Sequence, residues 1–129
     1  MEVLAITKYA RISSQKGHDV AREIQGLSAA RALEILQFTP RKAARLLEKT
    51  LRSAVANAHE YNRRHNEKVA VERLVVKEAQ FGRGSQMNRH KASARGRAAP
   101  RIRRSSHVRI VLSDGASNGS SNSSAKEKR

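Results

Sequence analysis

Between Glu78 and Asp114 the chain holds Arg83, Arg89, Lys91, Arg95, Arg97, Arg101, Arg103, Arg104 and Arg109, and not one carboxylate. A guanidinium is a planar fork of donors that meets a phosphate with two parallel hydrogen bonds and can also stack on a base. Surface solubility would be served as well by lysine, of which this stretch has one. The chemistry on offer is therefore phosphate recognition. Over the whole chain 27 Lys and Arg face 11 Asp and Glu, a formal charge of +16, which implies a polyanionic partner bound with counterion release.

Other chemistries find no constellation. Of the five histidines, His59 and His65 are separated by about 240° round a helix and so stand on different faces. With no cysteine and no carboxylate cluster, no metal site is expected. Ser106 and His107 are neighbours on a presumed strand, where successive side chains point to opposite faces, so they cannot act as nucleophile and base. The sequence has no GxxxxGK[ST], no GxGxxG opening a helix and no paired carboxylates in an apolar setting. Neither enzymatic activity nor a cofactor is expected. Tyr9, Phe38, Tyr61 and Phe81 are the only aromatics, which argues against rows of base-stacking platforms. No apolar run approaches the roughly 20 residues that span a bilayer, and the start of the chain lacks the pattern of a signal peptide. A soluble, intracellular protein that binds no membrane is expected.

The elements that position the cations follow from the flanks of the basic run. From Gly82 to His107 only Met87, Ile102 and scattered alanines are apolar, too little to offset the entropy of ordering the segment. Its order is expected to come from a partner. Upstream, Val69 to Phe81 is rich in β-branched residues; downstream, Val108, Ile110 and Leu112 alternate with Arg109, Val111 and Ser113. Paired antiparallel, these flanks make one hairpin over about 74–112 with arms reaching about 60 Å. A compact body of this size has a radius of gyration of about 13 Å, so the hairpin must project.

Before the hairpin, Val3 to Tyr9 reads as a strand. Ser13 or Ser14 caps a helix carrying Val20, Ile24 and Leu27, stopped by Gly26. Gly17 costs that helix about 1 kcal/mol relative to Ala and gives it a frail start. Ser28 caps a second helix with Ala32, Leu33 and Leu36 on one face, ended by Thr39 and Pro40. A third runs from Arg41 to about His65, with Leu47, Leu51, Ala54, Val55 and Ala58 as its core stripe and Arg41, Lys42, Arg45, Lys49 and Arg52 opposite. Asn62 to Lys68 is a polar connection. The expected fold is α+β: three helices packed on a small antiparallel three-stranded sheet with a long protruding β-hairpin. Residues 1–114 form one domain, and 115–129 a disordered tail on composition.

Four stretches resemble the ribosomal protein L twenty-two family of the bacterial large subunit: Tyr9 to Lys16 (YARISSQK), Ala32 to Leu36 (ALEIL) with FTPRKAA following, Ser53 to Asn62 (SAVANAHEYN), and Ala94 to Ala98 (ARGRA) with Arg104 to His107 (RSSH). The resemblance runs from Met1 to about Asp114. It implies a structural constituent of the cytoplasmic ribosome that binds large-subunit rRNA, supports assembly, contacts neighbouring large-subunit proteins and lines the polypeptide exit tunnel with its hairpin. On that likeness Lys8, Arg11, Ser13, Gln15, Lys16, Arg83, Arg89, Lys91, Arg95, Gly96, Arg97, Arg101, Arg103, Arg104 and His107 would face rRNA. Met87, Arg89, His90, Lys91, Ala92, Ser93 and Arg95 would lie at or near the tip, beside the nascent polypeptide. Family tips commonly read Pro-Arg where this chain has Ala92 and Ser93, which implies a less rigid turn lacking one cation. No homo-oligomer is expected. The alternatives are a DNA-architectural protein with a basic β-arm, which would prefer duplex DNA over structured rRNA, and more weakly an anionic-membrane binder.

Overall fold

The structure, a computed structural model, describes residues 1–66 and 70–115. Its elements are β1 (Glu2–Ala10), α1 (Ser14–Ile24), α2 (Ala29–Phe38), α3 (Lys42–His65), a one-turn 3-10 helix (Val71–Arg73), β2 (Leu74–Ala92), a tight turn at Ala94–Gly96 and β3 (Ala98–Asp114). The strands form one antiparallel sheet in the order β1-β3-β2. This is the α+β arrangement predicted, with three helices on one face of the sheet. Val69 and the stretch Glu67–Lys68 lie outside the described residues, as does the predicted tail apart from Gly115.

The alternation read in the sequence is the inward face of the sheet. Val108, Ile110 and Leu112 of β3 are fully buried, flanked by Val3 and Ala5 of β1 and by Leu74, Val76, Ala79 and Phe81 of β2. Against them pack Val20 and Ile24 of α1, Leu36 of α2, and Leu47, Leu51, Ala54 and Ala58 of α3. Each large aliphatic side chain so buried contributes about 1.5–3 kcal/mol. Small residues at 54 and 58 let α3 lie close across β1 and β3, as their type predicted.

Three local expectations change. Gly17 is buried, and a Cβ built on it would stand 2.4 Å from Cγ of Phe81. The glycine is thus the notch that lets α1 sit on the aromatic ring, and the propensity cost is offset by that packing. Ser13 and Ser28 hold the N-cap positions of α1 and α2, but neither side chain makes a capping hydrogen bond. Asn62 to His65 belong to the last turn of α3, which ends at Asn66 in the left-handed region (φ 51°), so the polar connection starts later than predicted.

Both sheet edges are tied to the helices within the body. On the β2 side, Gly26 N–H donates to Val76 O (2.8 Å), Val76 N–H to Leu27 O (2.9 Å), and Gln25 Nε2 to Ala79 O (2.7 Å). On the β1 side, Asn57 Nδ2 of α3 donates to Leu4 O (3.2 Å), and the Thr7 hydroxyl meets that of Thr50 at 2.8 Å while Thr50 donates to Leu46 O at 2.9 Å. Edge groups so bonded, Val76 N–H and O, Ala79 O and Leu4 O, are not free to pair with another chain's strand. Beyond Phe81 no such cover exists among the described residues, and the arm begins.

Candidate nucleic-acid interface

Past the body, β2 and β3 stay paired from Arg83↔Ser106 to Ala92↔Ala98. The free arm, Gly82 to Ala92 on one strand, is about 35 Å long at roughly 3.3 Å per residue. The 60 Å expected for the hairpin includes Leu74–Phe81, which belong to the sheet. Every side chain from Ser85 to Arg104 is exposed. The backbone ladder is formed without any core beneath it, so the expectation that order comes from a partner narrows: the hairpin supplies its own pairing, and the side chains are what a partner would hold. Two-stranded hairpins alone are marginal in water.

Register sorts the arm into two faces. Met87↔Arg103, Arg89↔Arg101 and Lys91↔Ala99 share one face; Gln86↔Arg104, Asn88↔Ile102 and His90↔Pro100 share the other. One face thus gathers Arg89, Lys91, Arg101 and Arg103, with Arg89 Nη2 placed 4.0 Å from Sδ of Met87. The opposite face is mostly polar or apolar, its two arginines, Arg83 and Arg104, lying at the base. This segregation depends on an irregularity between Arg83 and Gln86, where β2 advances three residues while β3 advances two. Had the same residues paired one-to-one from Arg83↔Ser106 onward, Arg89 would face Pro100 and Lys91 would face Ala98, splitting the cations between the two faces. Gly84 permits the bulge: a Cβ there would meet Ser105 Oγ at 2.6 Å, and Ser105 Oγ donates to Ser85 O at 2.6 Å.

At the base of the arm a cleft of about 130 Å³ is lined by Ser13, Ser14, Gln15, Arg83, Gly84, Gln86, Arg104 and Ser105. Here the start of α1, with no acidic residue in its first turn, comes up beside two arginines from the hairpin. Four predicted residues, Ser13, Gln15, Arg83 and Arg104, therefore meet although they are far apart in sequence. Helix N-termini and guanidinium groups both favour anions. Lys16 lies exposed in the same first turn.

A second grouping is Lys8, Tyr9 and His107. Tyr9 takes φ 55° where β1 bulges between Thr7 and Ala10, and its N–H donates to His107 Nδ1 at 3.0 Å. Their rings meet edge to face, 4.8 Å between centroids. Nδ1 is therefore an acceptor, which leaves Nε2 as the ring donor for a partner. Ser106 is fully buried while His107 is half-exposed on the outer face, as the strand alternation predicted. Arg11 is exposed, and its carbonyl accepts from Lys42 Nζ at 2.7 Å.

The tip is a tight turn in which Ser93 N–H donates to Arg97 O at 2.7 Å. Arg95 (φ 57°) and Gly96 (φ 69°) both occupy the left-handed region, an unfavourable place for the arginine and an easy one for the glycine. Ala92, Ser93, Arg95, Gly96 and Arg97 form or flank this turn. Lys91, His90 and Arg89 follow, and Met87 stands about 16 Å back from Ala92 along the strand.

The sequence reasoning missed the segregation of the cations onto one face; Arg41, Lys42 and Arg45, read there as one face of the third helix, line a groove together with Pro40 and Leu46. Among the described residues no group of three or more His, Cys, Asp or Glu side chains is placed to hold a metal ion. No helix among them is long and apolar enough to cross a membrane.

Comparison with known proteins gives a consistent result. Residues 5–113 match the family described as Ribosomal protein L22p/L17e. The chain is similar to the large ribosomal subunit protein uL22 of Opitutus terrae, with 49% identity over 118 residues covering 92% of this chain and 100% of that relative. It is likewise similar to the large ribosomal subunit protein uL22 of Akkermansia muciniphila, 48% identical over 114 residues, covering 88% of this chain and 97% of the relative.

Proposed function

The chain belongs to the Ribosomal protein L22p/L17e family of structural, non-enzymatic proteins of the large ribosomal subunit, and from that premise we propose that it binds large-subunit rRNA through its arm and the arm's base. Its place of work is the cytoplasmic ribosome, with rRNA and neighbouring ribosomal proteins as partners. The observation that carries the finer proposal is the one-sided arm. Arg89, Lys91, Arg101 and Arg103 lie on one face with no carboxylate in either strand of the arm. Such a face has nothing in its own protein to neutralise it, and folded RNA supplies phosphates at the matching density. The cleft of Ser13, Gln15, Arg83 and Arg104 takes a further phosphate where arm and body meet.

The opposite face, Asn88, His90, Pro100 and Ile102, then looks away from the phosphates, while Met87 and Arg89 share the phosphate face. In the exit tunnel that opposite face would line the path of the nascent polypeptide, together with the turn at Ser93–Arg97. Ribosomal membership takes the place of the DNA-architectural alternative.

The test is rRNA binding by the whole protein as a function of salt. Replacing Arg89, Arg101 or Arg103 with Ala should each lower the salt slope by about 0.7–0.9. Replacing Asn88 or Ile102 with Ala should leave it unchanged. Equal effects from both faces would reject the one-sided binding mode. Loss of the wild-type protein from large subunits in a high-salt wash would reject stable rRNA attachment altogether.

A further inference from the structure

Of the four aromatic residues, three are engaged within the protein. Phe81 lies under α1, Tyr61 stacks on His65 with centroids 4.2 Å apart, and Tyr9 packs on His107. Phe38, the last residue of α2, is 86% exposed. A single exposed apolar residue is ordinary in itself. What surrounds this one is not. The chain turns at Thr39, held by two hydrogen bonds to Ile35 O from its N–H (3.1 Å) and its Oγ1 (2.8 Å), and passes directly into a groove of about 550 Å³ lined by Pro40, Arg41, Lys42, Arg45 and Leu46.

That groove is lined by two apolar side chains, Pro40 and Leu46, and by three cations. Arg41 has only a loose, exposed ion pair with Asp19 (3.8 Å), which yields readily to a stronger anion. Lys42 Nζ is bonded to a neutral carbonyl, so its charge is uncompensated. Arg45, and Lys49 one turn further on, make no ion pair among the described residues. The nearest carboxylate on α2 is Glu34, one turn back from Phe38, so an anion is favoured from the α3 side.

An open ring two residues ahead of a groove whose cations are loosely paired or unpaired fits a ligand that is flat and apolar in one part and anionic in the next. A protein surface rich in carboxylates would satisfy the arginines and leave the ring idle. An apolar protein surface would do the reverse. A nucleotide satisfies both, since every base has a π-face and its own phosphate. Resting on the rRNA-binding function above, we propose that Phe38 is a stacking platform for one unpaired rRNA nucleobase, whose flanking phosphates lie against Arg41, Lys42 and Arg45. This would be a second RNA contact, on the body and separate from the arm.

Phe38 is exposed, so its substitution leaves the core intact. In the full chain, Phe38→Leu keeps the bulk and removes the π-face; it should weaken binding to large-subunit rRNA at least about fivefold with the salt slope unchanged, while Phe38→Trp retains affinity. Arg45→Ala should instead lower the slope by about 0.7–0.9. Placing p-benzoylphenylalanine at position 38 in assembled large subunits and irradiating should yield a crosslink to an rRNA nucleotide. Wild-type affinity of Phe38→Leu, a crosslink only to another protein, or no crosslink overturns the proposal. If wild-type protein stays with large subunits after a high-salt wash while any of these occurs, the stacking site falls and the ribosomal function stands.

Discussion

Arg89 and Arg101 stand directly opposite each other across the β2–β3 ladder, two cations in register on one face of a two-stranded arm. Like charges so placed oppose pairing by about 0.2–1 kcal/mol, which is a stability cost the protein accepts where a polyanion is to bind. Arg101→Gln should therefore have effects of opposite sign. In the free protein the arm's backbone amides should exchange more slowly, while the salt slope of rRNA binding should fall by about 0.7–0.9. Slower exchange without a change in slope would separate Arg101 from the contact surface.

The two faces of the arm offer a test that leaves net charge untouched. Exchanging neighbours, Asn88→Arg with Arg89→Asn and His90→Lys with Lys91→His, should move both cations to the face of Pro100 and Ile102 and leave Arg101 and Arg103 on the other. Affinity for rRNA should fall by at least tenfold, roughly what loss of two phosphate contacts gives at moderate salt. Exchanging the uncharged neighbours Gln86 and Met87 is the matched control. Unchanged affinity after the cation exchange would mean that total charge, not its arrangement, governs binding.

Gly17→Ala sets two effects against each other. Alanine improves helix propensity by about 1 kcal/mol, but its Cβ would stand 2.4 Å from Cγ of Phe81, and overpacking of that kind costs about 1–3 kcal/mol. Denaturant unfolding should show a net loss. Adding Phe81→Leu should recover part of it, a coupling that two independent sites would lack.

Glu2 and Lys77 bridge the two outer strands across β3. The hydrogen bond and the charge of Lys77 hold the Glu2 carboxyl below its ordinary 4.5. A carboxyl so lowered stabilises the fold at pH above that ordinary value, and the contribution disappears as pH falls through the lowered one. Both groups are exposed, so the effect is small and screened by salt. Wild type should exceed Glu2→Gln in stability near neutral pH at low ionic strength, and the two should converge in acid or in high salt.

The hairpin was legible because its two signals are local: a run without carboxylates, and flanks with period-two alternation at Val108, Ile110 and Leu112. The core stripe of α3 was legible for the same reason. What stayed hidden depends on pairs distant in sequence. The facing of Arg89 toward Arg101 rests on the parity of a bulge around Gly84, which no propensity announces. Gly17 looked like a weakness because its partner, Phe81, lies on another element. The meeting of Ser13 and Gln15 with Arg83 and Arg104 likewise exists only once α1 is seated on the sheet.

β3 runs unbroken from Ala98 beside the turn to Asp114 in the middle of the sheet, with β1 on one side and β2 on the other. The arm is consequently a cantilever whose root is the centre of the protein. Tension applied at its end loads many antiparallel rungs in shear at once, where a flap tied on by a loop would simply swing or peel. A contact made at the far end is felt in the body as stress on Val108, Ile110 and Leu112.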